Sequence, residues 1–490
     1  MNRVTVLSLT TAALLVVGES TGLVQRTGLQ TISAALSATT LGQTDGQTQQ
    51  IEPLSANDIS WLFPAPANDM DLAKLISMRD LTAGDGPVWS EDIFHQFLTI
   101  AAGPAGSVEG TMHRIGLPAE VWSRDVWYIS GVRIDPGAPG LSPDLVKQFG
   151  RSPQIRLSVQ PITRTADGKL KVYDIAAHLA FSFTMTKANG DPDDDVPFQI
   201  GCFPRPKANV EAFKAIVADL VALRDTLKNG QPSITTTSPL GVHPGLNNTN
   251  TAIDTRNQMK ALLERHLSSN RLTAMTVTAL SAGLSSSWIF LPIFDVPPNT
   301  DPSRPKGGFV PLHGPALDGH HYAQLFNAAA NQNKVVPAPY TNNLIGPTCR
   351  HAGLPIAGPP IDDRIGVATA PLMNTLAKSE DDRNDILQKI NTLIDPDASH
   401  LFNTDCVSCH TETRLGITLL NGNAHIKEDI DKRLLPNHPW NVRGFGWFPH
   451  PREPAQPTVS HRVGKETFAV LTFINERCLP RPEATCMPDQ

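Results

Sequence analysis

The segment Cys406-Val407-Ser408-Cys409-His410 places two thiols and an imidazole on one short stretch of chain. On a helical turn, side chains three and four positions apart share a face, so Cys406 neighbours both Cys409 and His410. Two thiols so spaced can reach the two vinyl edges of one porphyrin, while the adjacent imidazole binds iron from the same side. Cys-x-x-Cys-His is the spacing of c-type haem attachment for that reason. It implies one covalent haem c, with Cys406 and Cys409 as tethers and His410 as the proximal iron ligand. Two other chemistries use similar residues. A thioredoxin-like redox pair wants a βαβ setting, which this region lacks. Half of a zinc site wants two further ligands, for which His400 and His425 are the nearest candidates.

The first residues are those of an exported chain. Arg3 precedes an apolar run, Val4 to Gly18, with no charge until Glu19. A run of about 15 residues has signal-peptide length and is short for a membrane span of about 20. Covalent haem attachment in bacteria takes place outside the cytoplasm, so a periplasmic or secreted location is expected. No later stretch is long and apolar enough to cross a membrane. Besides the motif, Cys202, Cys349, Cys478 and Cys486 remain, an even number in a chain of this kind, so disulfides are expected. Cys478 with Cys486 would close a short C-terminal loop; Cys202 with Cys349 is the other pair.

The elements that must position the motif are mixed. Hydrophobic residues make up 40% of the 490, enough for a core, and 42 prolines argue for many turns. A net charge of −6 without clustered Lys and Arg excludes nucleic acid as an obvious partner. After a signal peptide (1–20) and a polar linker (21–55), an α+β multidomain chain is expected. Residues 56–235 form a first α+β domain, 236–375 a second α+β segment, and 376–490 a small all-α haem domain. Strand-like runs are Val126–Ile134, Gln154–Val159, Leu170–Thr184, Met275–Leu280 and Trp288–Val296. Helical spacing marks Glu91–Ala101, Ala208–Lys228, Ile253–Leu267 and Ser460–Glu476.

Over residues 376–490 the sequence resembles the mono-haem class I cytochrome c domain. The likeness rests on a helix leading into Leu401–His410, a loop region, and the closing helix Arg462–Asn475. It implies an electron-transfer haem with His410 as proximal ligand. Such domains usually supply a distal methionine from the loop before the last helix. Here no methionine lies between His410 and Met487, and Met487 follows that helix. The candidates are His450, His438 and Met487, with His425 and His461 the other histidines of the region, or a vacant sixth position. A histidine there would lower the haem potential relative to methionine. The aromatic stretch Pro439–Phe448 would wall the porphyrin through Trp440 and Trp447, or form ordinary core beneath a loop. Arg443 would pair a propionate, since Arg suits carboxylates bidentately, or stay solvated.

Other groupings are weaker. His313, His320 and His321 read as surface histidines, Asp191–Asp195 as a solvated loop, and His178 as a satisfied core histidine. Gly283–Ser287 begins like a nucleophile elbow but lacks its last glycine. The expected function is electron exchange with a redox partner protein or a small-molecule donor or acceptor. The alternatives are a peroxidase- or oxidase-like oxidoreductase with an open distal site, or a haem-based sensor or binding protein. A single Cys-x-x-Cys-His counts against a di-haem peroxidase.

Overall fold

The computed structural model describes residues 51–84, 86–107, 112–138, 141, 152–185, 194–195, 205–230, 238–282, 284–296, 308–311, 324–327, 335–336, 379–399, 406–420, 427–438, 440–449, 453–479 and 486. Its centre is a ten-stranded antiparallel sheet. The long strands are β2 (Trp127–Ala138), β3 (Ser152–Arg164), β5 (Ile175–Ser182), β6 (Leu272–Ser281) and β7 (Leu284–Val296). Shorter strands are β1 (Ser60–Leu62), β4 (Leu170–Val172), β8 (Gly308–Pro311), β9 (Gln324–Asn327) and β10 (Val335–Val336). The spatial order is β1-β2-β3-β5-β6-β7-β9-β10, with β8 added to β7 and β4 to β3. The α+β character expected from the sequence is present: a strand-rich antiparallel sheet with several helices.

Strand side chains alternate between faces, and the two faces here differ in kind. One carries Ile155, Leu157, Val159, Leu179, Phe181, Met275, Val277, Ile289 and Leu291, all buried. These join one core with Phe94 and Phe97 of α1 (Glu91–Ala102), Phe213 and Ile216 of α2 (Val210–Gly230), and Met259 and Leu263 of α3 (Ala252–His266). The helices recur at helical spacing because that single stripe must meet the sheet. At full burial each such side chain contributes about 1.5–3 kcal/mol.

The other face is small and polar. Cross-strand pairing aligns Gly131 with Ser158, Ser158 with His178, and His178 with Thr276. The C-terminal segments meet this face: α4 (Glu380–Ile394), α5 (Cys406–Leu419), the hairpin β11 (Phe445–Phe448) with β12 (Gln456–Val459), and α6 (His461–Phe473). The contact is made by hydrogen bonds. Ser158 Oγ donates to the Phe445 carbonyl at 2.9 Å. Gln160 donates to the Trp447 carbonyl at 2.9 Å and accepts from the Trp447 N–H at 2.6 Å. On α6, Glu466 meets Arg133 at 2.8 Å and Arg156 at 3.4 Å. Residues on both sides of the boundaries expected near 235 and 375 share one hydrophobic cluster, which runs from Leu54 to Cys486.

Several elements differ from expectation. The strand expected over Leu170–Thr184 is two strands, and the ladder breaks beside Pro161, which offers no N–H. The break frees Asp174 from the sheet. Leu54, within the expected linker, is buried and exchanges hydrogen bonds with the Asn475 side chain. Cys478 and Cys486 are joined by a disulfide. The pair Cys202–Cys349 and the signal segment lie outside the described residues, as do His313, His320 and His321. No described helix is long and apolar enough to cross a membrane.

Two outcomes follow. Gly446 has φ +140°, and a Cβ there would lie 2.6 Å from Gln160 Oε1 and 2.8 Å from Ser130 Oγ. Gly446→Ala should lower unfolding free energy by about 2–5 kcal/mol in urea titration, from backbone strain plus lost buried hydrogen bonds. Burial pushes His243 down to about 3, and its Nδ1 accepts from the Gly245 N–H at 3.1 Å. The unfolded chain therefore protonates first as pH falls. This contribution is complete above about 6.5 and is lost progressively below it, at about 1.4 kcal/mol per pH unit. His243→Asn, which keeps an acceptor for Gly245, should flatten the stability profile between about pH 6 and 4 by that slope.

Candidate functional site

Helix α5 begins at Cys406, so the motif occupies its first turns. At about 100° per residue, Cys409, Cys406 and His410 fall within about 100° of arc. Their surroundings match that spread. Cys409 packs with Ile386, Ile390 and Leu393 of α4. Cys406 packs against the cluster of Trp288, Phe290 and Val442, as does Trp440. The His410 ring lies 4.8 Å from the Phe290 ring, centroid to centroid.

The helix is held at both flanks. Gly416 faces Ile390 of α4, whose Cγ2 would lie within ordinary contact distance, 3.7 Å, of a Cβ there. Two α5 side chains serve the start of α6: Thr413 Oγ1 accepts the His461 N–H at 2.7 Å, and Glu412 Oε1 accepts the Arg462 N–H at 3.1 Å. They satisfy N–H groups that a helix start leaves without partners. Burial pushes Glu412 up to about 7, against the hydrogen bonds from Thr413 and Arg462. Arg462 closes the arrangement by donating to the carbonyls of Leu393, Asp395 and Ser399, at 2.8, 2.8 and 2.7 Å, just past the C-terminal end of α4.

His410 Nδ1 lies 2.8 Å from the Val442 carbonyl oxygen. A carbonyl only accepts, so Nδ1 carries the proton and Nε2 presents its lone pair. Burial pushes the ring down to about 4, while the Val442 bond acts the other way. This is the tautomer and second-partner geometry of a histidine that ligates a metal through Nε2.

Beside it, Arg443 and Asp174 form a buried ion pair, with side chains 3% and 10% exposed. Asp174 also accepts from Trp288 Nε1 at 2.6 Å. The solvated alternative for Arg443 is thus corrected, because the break in the strand ladder delivers a carboxylate to it. Its Nε, also buried, has no hydrogen-bond partner among the described residues.

The other expected site residues separate. Trp440 joins the cluster around Cys406. Trp447 instead sits in the main core and donates to the Phe63 carbonyl at 2.9 Å. His438 packs its ring on Trp440 and Phe448, at 5.8 and 5.4 Å. His461 is paired with Glu428 at 2.7 Å. His400, His425, His450 and Met487 lie outside the described residues. Among the described residues, no three His, Cys, Asp or Glu side chains gather as a metal site.

His178 departs from the expectation of a satisfied core histidine. It projects from the small polar face of β5, its ring centroid 6.4 Å from that of His410. Burial, then the nearby His410 and Arg443, pushes it down to about 3. The signal was present in the alternation of Ile175–Ser182. His178 shares its face with Ala176 and Ala180, not with Leu179 and Phe181.

No family model, curated protein or solved structure matches this chain.

Removing one partner of a buried ion pair leaves an uncompensated charge, at a cost of about 3–5 kcal/mol. Asp174→Asn should therefore destabilise the protein by roughly that amount in denaturant titration. Asp174→Ala together with Arg443→Leu should recover much of the loss.

Proposed function

We propose that this protein carries one covalent haem c on Cys406 and Cys409, with His410 on the iron, and that it transfers electrons. The observation that carries the reading is the Nδ1–H of His410 donated to the Val442 carbonyl at 2.8 Å. It leaves Nε2 unprotonated on the same helical turns as the thiols of Cys406 and Cys409. A disulfide exchange site would have no use for that locked tautomer.

The residues present suit the group. Cys406 and Trp440 pack against the cluster of Trp288, Phe290 and Val442, which would exclude water from a porphyrin edge. The Arg443 guanidinium, whose buried Nε has no hydrogen-bond partner among the described residues, would be the group to pair a propionate. The haem supplies a one-electron ferric–ferrous couple; axial ligation, hydrogen bonding and burial tune its potential. In this reading residues 376–490 make up the cytochrome c-like part of the chain. The sheet and helices before them serve as its docking platform for a redox partner protein or a small electron donor or acceptor. Export to the periplasm or beyond belongs to the same proposal.

The test is haem staining after denaturing electrophoresis, on protein exported from a host with cytochrome c maturation. The wild type should retain haem, and the double substitution Cys406→Ala, Cys409→Ala should lose all stain. Stain persisting in the double variant, or missing from the wild type, would remove the proposal.

A further inference from the structure

We infer that His178 is the second axial ligand of the iron, so that the haem is bis-histidine. This rests on the haem reading above but goes beyond it, since the ligand comes from β5 and not from the loop before α6.

Distance is the first support. A ring nitrogen lies about 1.1 Å from its imidazole centroid and a metal–imidazole bond is about 2.0 Å, so two imidazoles on opposite sides of one metal have centroids about 6 Å apart. The observed separation of His178 and His410 is 6.4 Å, with ring planes 56° apart.

The floor around His178 is the second support. Its neighbours along the same face of β5 are Ala176 and Ala180, and across the ladder it faces Ser158 and Thr276. Thr278 and Ala274 are the next same-face residues on β6. The side chains at all these positions are short, which lets a flat macrocycle approach the sheet near His178. Ala180, Ala274 and Thr276 are only half-buried, as is His178, although they sit on central strands. Their counterparts on the opposite face, Leu179, Met275 and Val277, are fully buried.

The third support is hydrogen bonding. Among the described residues, no hydrogen bond holds either ring nitrogen of His178. The ring is half-buried, so a ligand can reach those nitrogens. A metal bond would occupy one nitrogen.

The competing ligands on the page are committed elsewhere. The His461 ring is paired with Glu428, and His438 accepts the Trp440 N–H through Nδ1 at 3.2 Å while packing on Phe448.

The experiment uses the full-length exported holoprotein and follows optical and electron paramagnetic resonance spectra. The wild type should be low-spin in both oxidation states. It should lack the sulfur-to-iron charge-transfer band of methionine ligation, and its ferrous form should not bind carbon monoxide promptly. His178→Ala should keep covalent haem on denaturing gels, lose the low-spin ferric signal and gain prompt carbon monoxide binding. His178→Met, which retains a ligand, should raise the midpoint potential. A high-spin wild type, a methionine band in the wild type, or an unchanged low-spin spectrum in His178→Ala with haem still attached would each overturn this ligand assignment while leaving the haem reading intact. Absence of covalent haem from the wild type would overturn both.

Discussion

Gln160 binds both the N–H and the C=O of Trp447, and Ser158 binds the carbonyl of Phe445, two positions earlier. These contacts join residues 287 positions apart in sequence. A strand face lined with polar groups needs partners once water is removed, because each buried unpaired group costs about 1–3 kcal/mol. The backbone of β11 supplies those partners, and only a glycine at 446 lets it come so near. The rest of the site depends on this docking. It sets where residues 441–444 pass, hence where the Val442 carbonyl meets His410 and where Arg443 meets Asp174.

A division of labour follows between the two faces of the sheet. The apolar face, covered by α1, α2 and α3, supplies most of the buried hydrophobic area. The polar face supplies placement. Glu466 of α6, set between Arg133 and Arg156, is held well below the usual carboxylate range by those two cations, against its burial. Its partners come from β2 and β3, and Thr467 of the same helix reaches Ser60 of β1 at 3.1 Å. Meanwhile Arg462 and Thr413 tie α6 to α4 and α5. The thiols and imidazole of α5 thus ride on a helix braced from two directions.

Much of the local structure was legible. Alternation located the long strands and helical periodicity located the helices, mostly to within a few residues. The error over Leu170–Thr184 came from reading an apolar run as one strand through Pro161's place in the ladder. At the site, the five-residue motif was legible because its chemistry is local. Trp440 and Arg443 were legible as residues near it, but not what they touch. Trp447 was expected beside Cys406 and His410 but lies in the main core, because aromatic density cannot say which side of a hairpin each ring takes. His178 was read as core because the alternation that sets it on one face with Ala176 and Ala180 cannot say what lies against that face.

The sequence by itself determined the reactive set Cys406, Cys409 and His410, since one helical turn is enough to align them. It also determined the amphipathic elements and the short Cys478–Cys486 loop, all products of near neighbours in the chain. Only the tertiary structure decided which carbonyl orients His410, which carboxylate neutralises Arg443, and which imidazole faces His410 across the polar face of the sheet. Those partners lie 32, 269 and 232 residues away along the chain, by the numbering of the residues concerned. Their meeting is fixed by strand register and by the satisfaction of buried polar groups, neither of which a local pattern encodes.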